Sequence, residues 1–260
     1  MSEPLLWLNG ALLPAHTARI DPADRGFTLG DGLFETMAAQ NGTVPELARH
    51  FARLTAGAVL LRLHVPLTLD ALEAACRDLL AANATPNAAL RLTLTRGPAP
   101  RGLLPPAQAN NTLLITTAPL PPGGKLRLIT ARIRRDETSP LSAVKTLNYL
   151  PGILARIEAA EQGADDALLL NRQGFVAETS GANIFVRLGG LWFTPPVEDG
   201  ALPGIRRAKL LEASRVREAP LAPIQLRHAE AILVGNALTL RPVIALDWHP
   251  IPEGDPAALS

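Results

Sequence analysis

Between residues 45 and 118 the periodicity of the chain switches from helical to alternating, and that switch restricts the fold more than any other feature. From Pro45, PELARHFARLTAGAVLLRL puts Leu47, Phe51, Leu54, Ala58 and Leu61 on one helical face. A second helical pattern runs from Thr68, a good N-cap residue, to Asn83. AALRLTLTR and NTLLITTAP then alternate as strands on either side of the Pro- and Gly-rich GPAPRGLLPP. Upstream, LLWLNGALLP reads as a hairpin turning at Asn9-Gly10. DRGFTLGDGLFETMAAQNGTV carries glycines at 26, 30 and 32, then a strand and an Asn41-Gly42 turn. Helices grouped between strands define an α+β lobe rather than a βαβ series.

PLPPGG, residues 119–124, is the best linker candidate. It divides the chain into a small N-terminal α+β domain, 1–118, and a larger C-terminal domain, 124–260. In the second part KLRLITARIRR reads as a strand whose arginine cluster at 132–135 is a solvated end. A helix runs to about Gln162 and stops at Gly163. DALLLNRQGFVAETSGANIFVRLGGLWFTPP reads as a meander of short strands with turns at 171–174 and 189–190. PGIRRAKLLEAS opens a helix at Gly204, and EAILVGNALTLRPVIAL closes the chain as strands.

A net charge of +1 and scattered arginines give no electrostatic footprint for nucleic acid. The one cysteine, Cys76, rules out an intrachain disulfide and reads as a buried core thiol; the five histidines show no metal-ligand spacing. The N-terminus does not read as a signal peptide, and no apolar run is long enough to span a bilayer. A soluble protein of the reducing cytoplasm is the expectation.

The chain has three lysines against 22 arginines, and one of the three, Lys145, stands in LSAVKTLNYLPGILAR. A lysine can lose its proton and act as a nucleophile, which an arginine cannot. Partial burial among Leu141, Val144, Leu147 and Leu150 would favour the neutral amine that forms a Schiff base. The plain alternative is a lysine that caps a turn or makes a salt bridge. LPGIRR, 202–207, puts a glycine at a helix start, where backbone amides suit a phosphate. VAETSGANIF, 176–185, ends a strand with Glu178, a carboxylate that could hold a pyridine nitrogen protonated, beside residues small enough for close backbone approach. An amine, a phosphate cradle and a ring-nitrogen carboxylate together describe a pyridoxal 5'-phosphate (PLP) site.

Nearly the whole chain resembles the class IV aminotransferases, the fold-type IV PLP enzymes, which include D-amino acid and branched-chain aminotransferases and 4-amino-4-deoxychorismate lyase. The resemblance is carried in order by DRGFTLGDGLFET, HFARL, TRGPAPRG, KTLNYLPGILARIEAAEQGADDALLLN, ETSGANIF, LPGIRR and GNALTLRPV. It implies a small N-terminal α+β lobe and a larger C-terminal pseudo-barrel α/β lobe with PLP between them, in a homodimer whose sites borrow a loop from the partner. By the same resemblance Lys145 is the Schiff-base lysine and proton shuttle, and Glu178 is the partner of the pyridine nitrogen. Arg53 is the arginine on the phosphate. Gly204, Ile205 and Arg206 form the phosphate-binding helix start, Asn236 and Ala237 the second phosphate-side turn, and Ser180 and Gly181 lie beside the cofactor. Phe34, Arg101 and Leu103 fall on substrate positions, with Arg101 taking the substrate carboxylate, and Thr36 is a candidate to line the pocket.

The departures from the family patterns bear on the reaction. Tyr149 stands one place closer to the lysine than the tyrosine of branched-chain enzymes. Phe34 replaces a tyrosine, and Leu103 a histidine, of the D-amino acid enzymes. Leu103 also replaces the lyase tyrosine, and Tyr149 the lyase arginine. These residues favour an aminotransferase, of an unusual D-amino acid type, working on an amino acid and a 2-oxo acid. Aminodeoxychorismate lyase is the runner-up and branched-chain aminotransferase a further alternative. A non-catalytic relative is the reading from a different class, and joint retention of Lys145, Glu178 and Arg53 argues against it.

Overall fold

A computed structural model describes residues 3–259. In the first part of the chain, β1 (Leu5–Leu8) and β2 (Ala11–Pro14) form a hairpin. Its turn residues Asn9 and Gly10 have φ of 48° and 99°, values that Asn and Gly tolerate best. A short helix not foreseen from the sequence, α1 (Arg25–Leu29), is capped by the Asp24 carboxylate, which accepts from the amide of Gly26. β3 (Gly32–Ala39) precedes α2 (Leu47–Leu61) and α3 (Leu69–Ala82), and β4 (Ala88–Thr95) and β5 (Thr112–Ala118) follow. Thr68 caps α3 by accepting from Ala71.

These strands form one antiparallel sheet in the order β2-β1-β5-β4-β3. Register places Leu33, Met37, Leu90, Leu92, Leu94, Leu113 and Ile115 on the helix-covered face, all buried. Each such side chain is worth about 1.5–3 kcal/mol of burial. Strand alternation sends Phe34, Thr36, Arg91 and Thr93 to the opposite face.

Contacts divide the chain into two compact units. The first comprises the described residues through Pro121 together with Lys145–Asn148; the second comprises Pro122–Val144 and the chain from Tyr149 on. A single cut at the linker does not describe this division. Lys145–Asn148 joins the first unit because it pairs with β3: Phe34 donates to the Lys145 carbonyl, Leu147 donates to the Gly32 carbonyl, and Leu33 bridges Thr146.

The second unit contains β6 (Leu126–Arg135), α4 (Leu150–Glu161), β7 (Asp166–Asn171), β8 (Val176–Thr179), β9 (Asn183–Leu188) and β10 (Leu191–Thr194). α5 (Ile205–Glu212), β11 (Arg217–Glu218), α6 (Pro223–Leu226), β12 (Ala231–Gly235), β13 (Leu240–Leu246) and β14 (His249–Pro250) complete it. Its sheet runs β11-β10-β9-β12-β13-β6-β7-β8, with β14 on β13.

The expected meander is broken between β8 and β9, which are not ladder neighbours. They stand five places apart in the strand order, yet the three residues between them turn tightly, with the amide of Thr179 bonded to the carbonyl of Ala182. A sheet can meet both conditions only by curling into a half-barrel. Leu128, Leu168, Val176, Ile184, Val186, Ile232, Val234 and Val243 belong to its main core cluster. α4 packs on β6 and β7 through Ala155 and Ala159, which meet Ile129, Ala131, Ala167 and Leu169. Gly163, at φ 75°, ends this helix.

Candidate active site

In the first unit the site is built on β3. Lys145 is half-buried, with Val144 and Leu147 half-buried beside it and Leu141 and Leu150 exposed. Its neighbour is the buried Phe34 ring, whose centroid is 4.2 Å from the amine. The ring face attracts the charged amine and gives the neutral one an apolar wall. Arg91 also lies over this ring, at 3.9 Å. Thr36 pairs with Arg91 across the strands, so Phe34, Thr36 and Arg91 share one face with Lys145 beside them. Arg91 was not singled out in the sequence; alternation in AALRLTLTR is the signal that could have found it.

One residue along β3, Glu35 points to the helix-covered face. Arg53, on α2, donates through Nε to Oε1 (2.8 Å) and through Nη2 to Oε2 (2.6 Å) of Glu35. His50 Nδ1 is 2.7 Å from the same Oε2. Burial pushes the Glu35 carboxyl up, but hydrogen bonds from His50 and Arg53 and their charges outweigh it and hold it below its ordinary value. Arg53 is therefore fixed in orientation by a buried carboxylate. An acidic residue in an inward strand phase, between Leu33 and Met37, was the available signal for Glu35. Arg101 and Leu103 lie exposed on the loop after β4.

In the second unit Glu178, on β8, is buried. Arg135 Nε is 3.1 Å from its Oε1, and the amide of Leu202 donates to Oε2 at 3.0 Å. Arg135 also donates to the carbonyls of Gly200 (3.0 Å) and Ser142 (2.8 Å). The arginine cluster at 132–135 is thus only partly a solvated strand end. Arg132 and Arg134 face out, whereas alternation turns Arg135 toward a carboxylate.

Ser180 donates its hydroxyl to Asp166 Oδ1 (2.5 Å) and accepts from Arg156 Nε (3.2 Å), so this side chain braces the turn between β8 and β9. A Cβ on Gly181 would meet no atom within 4 Å, leaving that turn open on one side. Gly204 precedes α5 without a capping side chain, so the first amides of the helix, at Ile205 and Arg206, are oriented to bind an anion. Arg206 Nε donates to the carbonyl of Asn236 (2.9 Å), and burial pushes its pKa down. Asn236 Oδ1 accepts from the amides of Leu238 (2.9 Å) and Thr239 (3.0 Å), shaping the turn that contains Ala237. Its Nδ2 reaches the carbonyl of Gly181 at 3.5 Å. Asn236 thus ties three segments together, 180–181, 204–206 and 236–239. In the second unit the donors suit a phosphate monoester and the buried carboxylate suits a protonated ring nitrogen; in the first, the Lys145 amine beside β3 suits an aldehyde. These are the functional groups of PLP.

Residues 32–246 match the family model described as amino-transferase class IV. A putative branched-chain-amino-acid aminotransferase of Methanocaldococcus jannaschii is 35% identical over 256 residues, covering 95% of this chain and 89% of that protein. A structure described as a putative 4-amino-4-deoxychorismate lyase from Legionella pneumophila superposes with a TM-score of 0.87 at 31% identity, covering 94% of this chain and 92% of the other. A T.th. branched-chain amino acid aminotransferase complexed with N-(5'-phosphopyridoxyl)-L-glutamate superposes with a TM-score of 0.89 at 26% identity, covering 100% of this chain and 91% of the other. The chain belongs to the class IV aminotransferase family. It is accordingly a PLP-dependent enzyme of fold type IV. Among the described residues no helix is long and apolar enough to cross a membrane.

Proposed function

We propose that this enzyme moves an amino group between an apolar amino acid and a 2-oxo acid, and that Lys145 carries the chemistry. The observation on which this rests is the Lys145 amine held over the Phe34 ring in a chain of this family. When bound, PLP supplies an electrophilic aldehyde carbon and a ring that withdraws electrons. Lys145 would hold that carbon through Nζ when no substrate is bound, and its freed amine would move the substrate α-proton from the α-carbon to the cofactor side. Glu178, oriented by Arg135 and the Leu202 amide, holds the proton on the ring nitrogen. Arg53, set by Glu35, is our candidate for the phosphate in the first unit, and the amides at the start of α5 are the candidate in the second. Arg101 takes the substrate carboxylate, with Phe34, Thr36 and Leu103 against its side chain.

The branched-chain names of the curated relatives favour an L-branched-chain donor over the D-amino acid expected from the sequence. The lyase stays the second reading because a neighbour at 31% identity carries that name. We place the enzyme in the cytoplasm as a homodimer. Leu150, Ile153, Leu154 and Ile157 form an exposed apolar stripe on α4, which supports burial against a second copy.

The test is the visible spectrum of the PLP-loaded protein on addition of L-leucine, L-valine, D-alanine or D-glutamate. Bleaching by an L-branched amino acid, reversed by a 2-oxo acid, is the expected result. Bleaching by D-alanine or D-glutamate alone would restore the D-amino acid reading. A band that no amino acid bleaches, with pyruvate released from aminodeoxychorismate, would establish the lyase. Borohydride reduction should leave phosphopyridoxyl on Lys145, and its appearance elsewhere would overturn the assignment.

A further inference from the structure

The loop between β4 and β5 contains no helix or strand over residues 99–111, yet it is held from beneath by a buried arginine. The base of the loop is pinned by Asp24. Its Oδ2 accepts from the hydroxyls of Thr95 (2.8 Å) and Thr112 (2.6 Å), one on each side of the loop. The next residue, Arg25, donates its own amide to the Gly97 carbonyl and sends its guanidinium under the tip. Its side chain is 5% exposed. Nη1 donates to the carbonyl of Gly102 (2.7 Å), Nη2 to that of Leu103 (2.8 Å), and Nε to Asp31 Oδ2 (2.7 Å).

Asp31 is in turn held by Arg96, which donates to both of its oxygens (2.8 and 3.1 Å). Arg96 also donates to the carbonyls of Leu61 and Arg62 at the end of α2. A continuous chain of charge-assisted bonds therefore runs from a helix end to the loop tip. Gly102 has φ 135°, a conformation that requires glycine, although a Cβ there would meet no atom within 4 Å. Glycine is therefore needed here for backbone shape alone. That shape aims two carbonyls at one guanidinium while Arg101 stays exposed and Leu103 and Leu104 are 82% and 89% exposed.

We propose that Arg25 is a positioning residue for substrate recognition: it fixes the conformation of residues 101–104 and thereby presents Arg101 to the substrate carboxylate. This rests on the assignment of Arg101 made above. Three N–H groups of one planar fork meet three acceptors, a task that a lysine ammonium on a flexible stem does not reproduce. Without the fork the tip samples other conformations, and the loss falls on binding rather than on proton transfer at Lys145.

The experiment compares the PLP-loaded wild type with Arg25→Lys, Arg25→Gln and Gly102→Ala. The last variant keeps the guanidinium and its ion pair but strains the tip. Tryptic cleavage after Arg101 reads the tether without reference to the reaction; it should accelerate by about tenfold or more in each variant as bonded carbonyls are released. In amino transfer, KM for the amino acid should rise by about tenfold while kcat changes by less than about threefold. Reaction with a primary amine that lacks a carboxylate should stay within about twofold of wild type, since Arg101 has nothing to bind there. Equal losses on both kinds of amine would overturn the proposal, as would faster cleavage with unchanged KM. If no amino acid reacts with the wild type, the functional reading fails and the link to substrate falls with it. The cleavage rates then still report the tether on its own. Retention of wild-type KM and resistance to cleavage in Arg25→Lys would overturn the tether itself.

Discussion

Replacing Gly204 by alanine should unsettle the phosphate side of the site through one contact. Gly204 has φ −73° and ψ 145°, which any residue adopts, so backbone strain is not the obstacle. A Cβ there would lie 2.0 Å from Asn183 Oδ1, where real contacts do not go below 3.0 Å. Something must therefore move by about 1 Å (3.0 minus 2.0). Asn183 is buried and donates to the carbonyl of Leu202 at 2.9 Å, and the amide of Leu202 donates to Glu178. Turning Asn183 away leaves the half-buried Leu202 carbonyl without its donor, at about 1–3 kcal/mol. Displacing the helix start instead is overpacking, also about 1–3 kcal/mol. Either route gives a loss of roughly 2 kcal/mol. Urea denaturation monitored by tryptophan fluorescence in a Trp7→Phe background reads this unit, because Trp192, which packs against the cluster that contains Phe185 and Leu210, and Trp248 both belong to it. At a slope of about 2 kcal/mol per molar the midpoint should fall by about 1 M. Asn183→Ala vacates the contested space, so in the double variant the Gly204→Ala cost should shrink by at least about 1 kcal/mol. A midpoint unchanged in Gly204→Ala, or additive losses in the double variant, would refute the steric argument.

Three further outcomes follow from the same geometry. Glu178→Gln should lower kcat by about 100-fold or more, because an amide does not hold the ring-nitrogen proton, while PLP stays bound; steady-state kinetics with absorbance of the bound cofactor checks both. Glu35 and Asp31 both sit below their ordinary values of 4.5 and 3.8 despite burial, through their His50, Arg53, Arg96 and Arg25 partners. Their stabilisation is complete above those ordinary values and is lost as pH falls through the lowered folded values. The thermal midpoint should therefore hold from neutral pH to about 5 and drop below about 4, with a shallower drop in Glu35→Gln. Burial, with Glu73 adding to it, pushes the Cys76 thiol up to about 12. A thiol reagent at pH 8 should leave the native protein unlabelled and react fully in urea.

Period and capping made the helices over Leu47–Leu61 and Leu69–Ala82, the strands over Ala88–Thr95 and Thr112–Ala118, and the stop at Gly163 legible in the sequence, because each is decided within a few residues of itself. The same holds for the chemistry of Lys145: an amine that can deprotonate is a property of the residue type, whatever surrounds it. α4 shows where such local reading ends. Its leucines and isoleucines suggest the buried stripe, but Ala155 and Ala159 are the residues packed on β6 and β7, and Leu150, Ile153, Leu154 and Ile157 face out.

Pairings between distant residues were likewise not written in the chain. Lys145 joins β3 through a backbone bond from Phe34, and Leu147 through one to Gly32, each more than a hundred residues earlier. Arg135 meets Glu178 where the strand pattern suggested solvent, and Arg25 reaches two carbonyls 77 and 78 residues away. The sequence by itself determined which segments are helix or strand and which side chains can do amine and phosphate chemistry. The tertiary structure alone decided which charge meets which, because long-range pairing depends on the order in which strands assemble, and local periodicity carries no record of that order.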